Sequence, residues 1–260
     1  MGKIAWDVEE AGCFEVDLVH HCGEIANVEY VHTLQMVDVA TGWSEINAIF
    51  GRSNRVVQDG FDFLLKRLPF SVCEFHPDNG TEFFNRPMIQ FWKQRLLHIQ
   101  ISRSRPYQKN DDRFVEENNS SLIRAYVGHV RFDTQLHLAI LRTLYEKLWL
   151  YHNFFLPVLR LQAKQYISPM KYRRQFDQAK PPFDRLKELR VLPSAVIHDL
   201  EALRARTSPL LLRDQIGQLI DQLLDSPVPG QSETVDVFKT LLKEADSPVT
   251  LSVEPMVVVQ

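Results

Sequence analysis

Three short segments hold the acidic side chains whose types and spacing could do chemistry: Phe14-Glu15-Val16-Asp17-Leu18-Val19-His20, His76-Pro77-Asp78-Asn79-Gly80-Thr81-Glu82-Phe83 and Asp111-Asp112-Arg113-Phe114-Val115-Glu116-Glu117-Asn118-Asn119. The first sets Asp17 inside an apolar, strand-like run. The second sets Asp78 at a strand end before a turn, and the third sets Glu116 on a helix. Carboxylates on separate elements suit a divalent cation, because Mg²⁺ takes hard oxygen ligands and is often held by one or two carboxylates plus substrate phosphates. If the segments converge, they form a phosphodiester-processing centre. Singly, each has an ordinary reading: a strand-end Asp, an Asp-Asn-Gly turn, a surface Glu on a helix. His20-His21-Cys22 is a weak zinc signal, since no matching second ligand pair follows.

The elements that must position these residues can be read from periodicity. Phe14–Val19 alternates as a strand, with Phe14, Val16 and Leu18 on one face and Glu15, Asp17 and Val19 on the other. Residues 30–37 and 43–50 read as two more strands joined by Thr41-Gly42, an antiparallel meander. Ser53-Asn54 can cap a helix with an apolar face of Val56, Val57, Phe61, Leu64, Leu65 and Leu68, ended by Pro69. A short strand over 70–75, a helix over 86–97 and a strand over 98–101 follow. A basic loop over 102–110 leads to a helix from about Asp111 to Tyr126, stopped by Gly128, and a longer helix from about Asp133 to Phe155. Residues 157–193 read as an irregular, proline-containing basic connector. Leu-rich helices are expected at 195–206 and 209–224, with another at 234–245. The fold class is therefore α/β: a mixed five-stranded sheet (antiparallel β1–β3, then parallel strands) flanked by helices. The expected divisions are a lead-in over 1–13, a core over 14–156, the connector over 157–193 and a helical region over 194–260.

Composition sets further bounds. The chain has 260 residues, 45% hydrophobic and 24% charged, within the range of globular proteins. The start of the chain carries no charged leader followed by an apolar stretch, so no signal peptide is indicated. Three cysteines without paired spacing argue against a disulfide framework and for a reducing, cytoplasmic setting. A net charge of −3 conceals an uneven distribution, since residues 93–190 carry 19 Lys and Arg against 9 Asp and Glu. A basic middle between acidic flanks is an electrostatic footprint for phosphate, or else a solvated helical surface.

In their order and context the segments resemble the catalytic core of the DDE-type integrases and transposases, over residues 14 to about 186. The resemblance is carried by Glu15–Gly23, Thr33–Glu45, His76–Asn85, Arg103–Asp111 and Val115–Asn119, and Tyr151–Pro157 resembles the bacterial insertion-sequence branch. It implies an RNase H-like fold. It also assigns Asp17, Asp78 and Glu116 as catalytic and metal-binding carboxylates, with Asp38 left structural and Glu117 as the rival of Glu116. Arg103, Arg105, Lys109 and Arg113 would contact DNA, while His20, Asn79 and Asn119 would line the site. Phe114 stands where that branch often has His, and Asp112-Arg113 replace smaller or neutral residues.

The implied activity is metal-dependent strand transfer, with two Mg²⁺ ions (Mn²⁺ as substitute). Water frees a 3′-hydroxyl at an element end, and that hydroxyl then attacks target DNA. The implied partners are element-end and target DNA, a second copy of the chain on DNA, and a DNA-recognition domain or subunit, because no helix-turn-helix precedes the first strand. A nuclease that only hydrolyses, and an inactive DNA-binding regulator of transposition, are the alternatives at this point.

Overall fold

The computed structural model describes residues 8–23, 29–77, 80, 82–96, 99–102, 115, 119–168, 171–226 and 235–242. A five-stranded sheet is built from β1 (Cys13–His20), β2 (Val31–Asp38), β3 (Ser44–Phe50), β4 (Glu74–Pro77) and β5 (Gln100–Ile101), in the order β3-β2-β1-β4-β5. β1 to β3 are antiparallel, while β4 runs parallel to β1 and β5 parallel to β4. This is the RNase H-like mixed sheet expected from the sequence. The central position of β1 follows from its connections. The connection over residues 21–30 brings β2 back antiparallel to it, and the segment containing α1 returns β4 parallel on its other side.

Alternation along β1 decides which helices meet which face. Phe14, Val16 and Leu18 join a core with α1 (Asn54–Arg67) and α2 (Arg86–Arg95), through Phe61, Leu64, Met88 and Trp92. Val19 joins the opposite core, filled by Leu122, Ile123 and the α4 helix (Gln135–Phe155) through Leu141, Leu144, Tyr145 and Leu148. Gly60 of α1 lies against β3, and a Cβ there would come within 2.8 Å of Ile49 Cγ2. Ser53 occupies the N-cap of α1 without a side-chain cap bond, whereas Thr134 and His137 form a capping box at the start of α4.

Buried polar groups close the β2–β3 turn. Asp38 accepts hydrogen bonds from Gly12 N–H (2.8 Å), Thr41 N–H (2.9 Å) and the Thr41 hydroxyl (2.6 Å). Gly42 takes φ +77°, which its lack of a side chain permits. His152 Nε2 donates to Gly42 O, and the Asn153 amide is bonded to both backbone groups of Ser44. Thus the Tyr151-His152-Asn153 stretch fastens α4 to the turn.

Several expectations are corrected. The fourth strand covers Glu74–Pro77 instead of 70–75, because β1 begins at Cys13 and the ladder starts only at Cys13↔Glu74. The 157–193 segment is not irregular: it holds a hairpin, β6 (Leu161–Ser168) with β7 (Lys171–Phe176), and α5 (Pro182–Leu189). Phe183 and Leu186 of α5 enter the same core as β1. Of the expected helix at 234–245, the described part shows only a 3₁₀ turn, Val237–Thr240. Two Leu-rich helices do form, α6 (Ser194–Ala205) and α7 (Pro209–Asp225). Their apolar residues split between the cores, Leu200 and Leu203 in one, Ile216 and Leu223 in the other. No described helix is long and apolar enough to cross a membrane.

Candidate active site

Asp17 lies near the C-terminal end of β1, on the face shared with Glu15 and Val19. Its Oδ1 accepts from the Leu18 N–H at 2.7 Å, and its Oδ2 accepts from the Asn119 side-chain amide. Burial pushes the Asp17 carboxyl above its ordinary pKa, and nearby Glu82 adds to the rise; the Leu18 N–H, Asn119 and His20 oppose it. Among the described residues no lysine or arginine pairs with Asp17. The Asn119 Oδ1 is buried without a hydrogen-bond partner. A half-buried carboxylate without a direct ion pair among the described residues, though Arg124 acts on it through space, and next to an unsatisfied oxygen, is a donor set that fits a hard divalent ion.

Two further chain segments are tied to β1 at adjacent residues. Pro77, just before Asp78, is in register with Val16, just before Asp17. Val115, just before Glu116, donates its N–H to Glu15 Oε2 at 2.9 Å. Asn119, three residues after Glu116, reaches Asp17. It opens a π-helical stretch, Asn119–Arg124, which runs into the short α3 helix (Ala125–Val127) and ends at Gly128, φ +65°. Such i→i+5 turns are strained local insertions found often at functional sites.

Asp78, Asn79 and Glu116 lie outside the described residues, as do Arg103, Arg105, Lys109, Arg113 and the rival Glu117. The basic loop leaves the sheet at Ser102. The hydroxyl of Ser102 donates to Glu74 Oε1 (2.5 Å), and its N–H donates to Phe75 O. Among the described residues no group of three His, Cys, Asp or Glu forms a metal cluster.

His20 sits beside Asp17 but takes the other face of β1, where it meets Tyr30 Oη at 3.0 Å and the His32 ring at 4.8 Å. Burial lowers its pKa, with Glu82 and Asp17 opposing. His21 turns inward, with Nε2 bonded to Thr33 Oγ1 at 2.7 Å. Burial takes its pKa to about 3. Cys22 Sγ donates to Gly23 O, so the His20-His21-Cys22 run divides among three environments. Sequence reading gave no role to Glu82, which acts electrostatically on both Asp17 and His20. It also gave none to Arg124, whose guanidinium donates to His20 O at 2.6 Å. The signal for Glu82 was present, a second carboxylate four residues after Asp78.

No family model matches the chain. A curated relative, the uncharacterized protein y4rM of Sinorhizobium fredii (strain NBRC 101917 / NGR234), is 31% identical over 180 residues, 69% of this chain and 51% of that protein. The chain thus spans about half the length of the curated relative it matches. Among solved structures, the catalytic core domain of BIV integrase superposes with a TM-score of 0.44 at 17% identity, covering 69% of this chain and 95% of that one. A chain of the simian T-cell lymphotropic virus intasome in complex with PP2A regulatory subunit B56 gamma gives 0.38 at 16% identity, covering 44% and 39%.

Proposed function

We propose that the chain is a metal-dependent polynucleotidyl transferase acting in DNA integration or transposition, with Asp17, Asp78 and Glu116 as its carboxylates. One observation supports this most strongly: the segments before Asp78 and around Glu116 are both anchored to β1 within two residues of Asp17. Two Mg²⁺ or Mn²⁺ ions held by these carboxylates would stabilise the attacking and leaving oxygens of an in-line displacement. Asn119 fixes the rotamer of the Asp17 carboxylate. Its removal from bulk water strengthens the attraction of that carboxylate for a cation. Arg103, Arg105, Lys109 and Arg113 neutralise backbone phosphates, which position DNA without reading its sequence. Element-end and target DNA are the substrates in this reading. A second copy of the chain and a separate DNA-recognition domain are its partners, and its setting is the bacterial cytoplasm.

The test is incubation of purified protein with supercoiled plasmid and a labelled duplex bearing a free 3′-hydroxyl, in Mg²⁺ or Mn²⁺. Joined products are expected, and Asp78→Asn abolishes them while DNA binding persists. Cleavage without joining would leave a nuclease. Binding without any metal-dependent product would remove both enzymatic readings.

A further inference from the structure

The β6–β7 hairpin stands apart from both cores. Among its described side chains no apolar one beyond Leu161 is buried, and Tyr166 (59%), Ile167 (53%) and Phe176 (44%) are exposed. A two-stranded ribbon alone is marginally stable, so its base must be secured. Asp177 does this, accepting from Arg160 N–H (2.8 Å) and from Arg185 (2.5 Å), while Arg185 also donates to Val158 O (2.7 Å). Although burial opposes ionisation, these hydrogen bonds hold the Asp177 carboxyl below its ordinary pKa.

The charge on this ribbon is of one sign. Residues 161–176 contain Lys164, Lys171, Arg173 and Arg174 and no Asp or Glu. The register pairs Lys164 with Arg174, Gln165 with Arg173 and Tyr166 with Tyr172 along the backbone, and the Arg173, Arg174 and Tyr166 side chains are exposed. Like charges directly opposite each other destabilise a strand pair. A ribbon that buries almost nothing and still concentrates them is poorly explained by folding alone.

We propose that the β6–β7 ribbon is a docking surface for duplex DNA, separate from the acidic site and independent of metal. A two-stranded ribbon fits the major groove of B-DNA, about 12 Å wide. Strands of roughly 20–26 Å, at about 3.3 Å per residue, span several base pairs of backbone. Arginine forks bind phosphate bidentately, and the polar and aromatic positions between them meet sugars and base edges. Among the described residues both strands have free edges, but pairing with a second copy would bring two uniformly cationic ribbons together. Charge therefore favours a polyanion over self-association.

The test uses the full chain and a labelled 30-base-pair duplex of arbitrary sequence, in EDTA, with fluorescence anisotropy across a KCl series. Arg173→Glu/Arg174→Glu is expected to weaken binding on the order of tenfold or more and to lower the salt slope by roughly 2. Arg173→Gln/Arg174→Gln should show the same direction, and the Lys/Lys double variant should retain binding. Arg206→Glu/Arg213→Glu, an equal charge change at the C-cap of α6 and on α7, should stay near wild type. The proposal is overturned if the hairpin and control variants behave alike, or if single-stranded DNA of that length binds as tightly. A change in solution mass with Arg173→Glu/Arg174→Glu would also overturn it, in favour of self-association. Because metal is absent, failure of strand transfer leaves this result unaffected.

Discussion

Glu45 and Asp17 are both carboxylates withdrawn from water on neighbouring parts of one sheet, yet their surroundings differ in kind. Glu45 is fully buried. It accepts from the indole N–H groups of Trp43 (2.8 Å) and Trp149 (2.9 Å) and from Arg67 Nε (2.5 Å). Arg67 is held in turn by Glu146, by Ile46 O and by the Trp149 ring, 4.9 Å from its guanidinium carbon. Burial pushes the Glu45 carboxyl up, and Arg67 with the two indoles opposes it. Every lone pair that matters has a donor. Asp17 has a backbone N–H and one amide, no direct ion pair among the described residues, only the more distant field of Arg124, and Glu82 nearby to raise its energy. A saturated buried carboxylate holds a fold together, whereas an unsaturated one keeps coordination capacity for a ligand.

That contrast can be broken by experiment. Asp17→Asn should lower strand-transfer rate on the order of a thousandfold, the loss of several kcal/mol of metal-borne charge stabilisation, in a joining assay. Glu45→Gln should instead destabilise by about 3 kcal/mol, because it leaves the Arg67 charge partly unpaired in the interior. Thermal unfolding would register this as a Tm lower by roughly 6–12 °C, with residual activity at low temperature retained. Asn119→Ala should cost about 10- to 100-fold in metal affinity or rate with little change in Tm, the signature of a positioning residue. The smallest effect sharpens the comparison most. In EDTA, Asp17→Asn should raise Tm by about 1–3 °C, since it relieves an unpaired buried charge.

Acid supplies an independent check. His21 and His32 are held neutral by burial to about pH 3, and His152 to about pH 4. Their folded values lie below the ordinary 6.5, so the unfolded chain takes up protons first as pH falls. Stability is full above about 6.5 and is lost progressively toward 3, at up to roughly 1.4 kcal/mol per pH unit for each histidine. Chemical denaturation from pH 7 to 4 should show this slope. His152→Gln, which preserves a donor for Gly42 O, should flatten it.

The order of strands and first helices was legible because alternation and 3.6-residue periodicity are local properties. Phe14, Val16 and Leu18 announce one face of β1 wherever it lies. The start of β4 was not legible, because residues 70–72 are as strand-like as 74–77 and only the beginning of β1 decides which of them pair. Neither was the β6–β7 hairpin: its strands carry charge where an amphipathic pattern would carry apolar residues, so periodicity is silent there. Glu45 gave no sign of its burial, since its partners Trp43, Arg67 and Trp149 span more than a hundred residues of chain.

The sequence by itself determined the acidic segments, the meander and crossover order, and the basic stretch between the second and third carboxylates. These follow from residue type and short-range spacing. Only the tertiary structure decided that Val16 registers with Pro77, that Val115 is tied to Glu15, and that Asn119 reaches Asp17. It also decided which buried carboxylate is saturated with donors and which accepts only a backbone N–H and one amide. That difference depends on donors brought from distant segments, which no local pattern encodes.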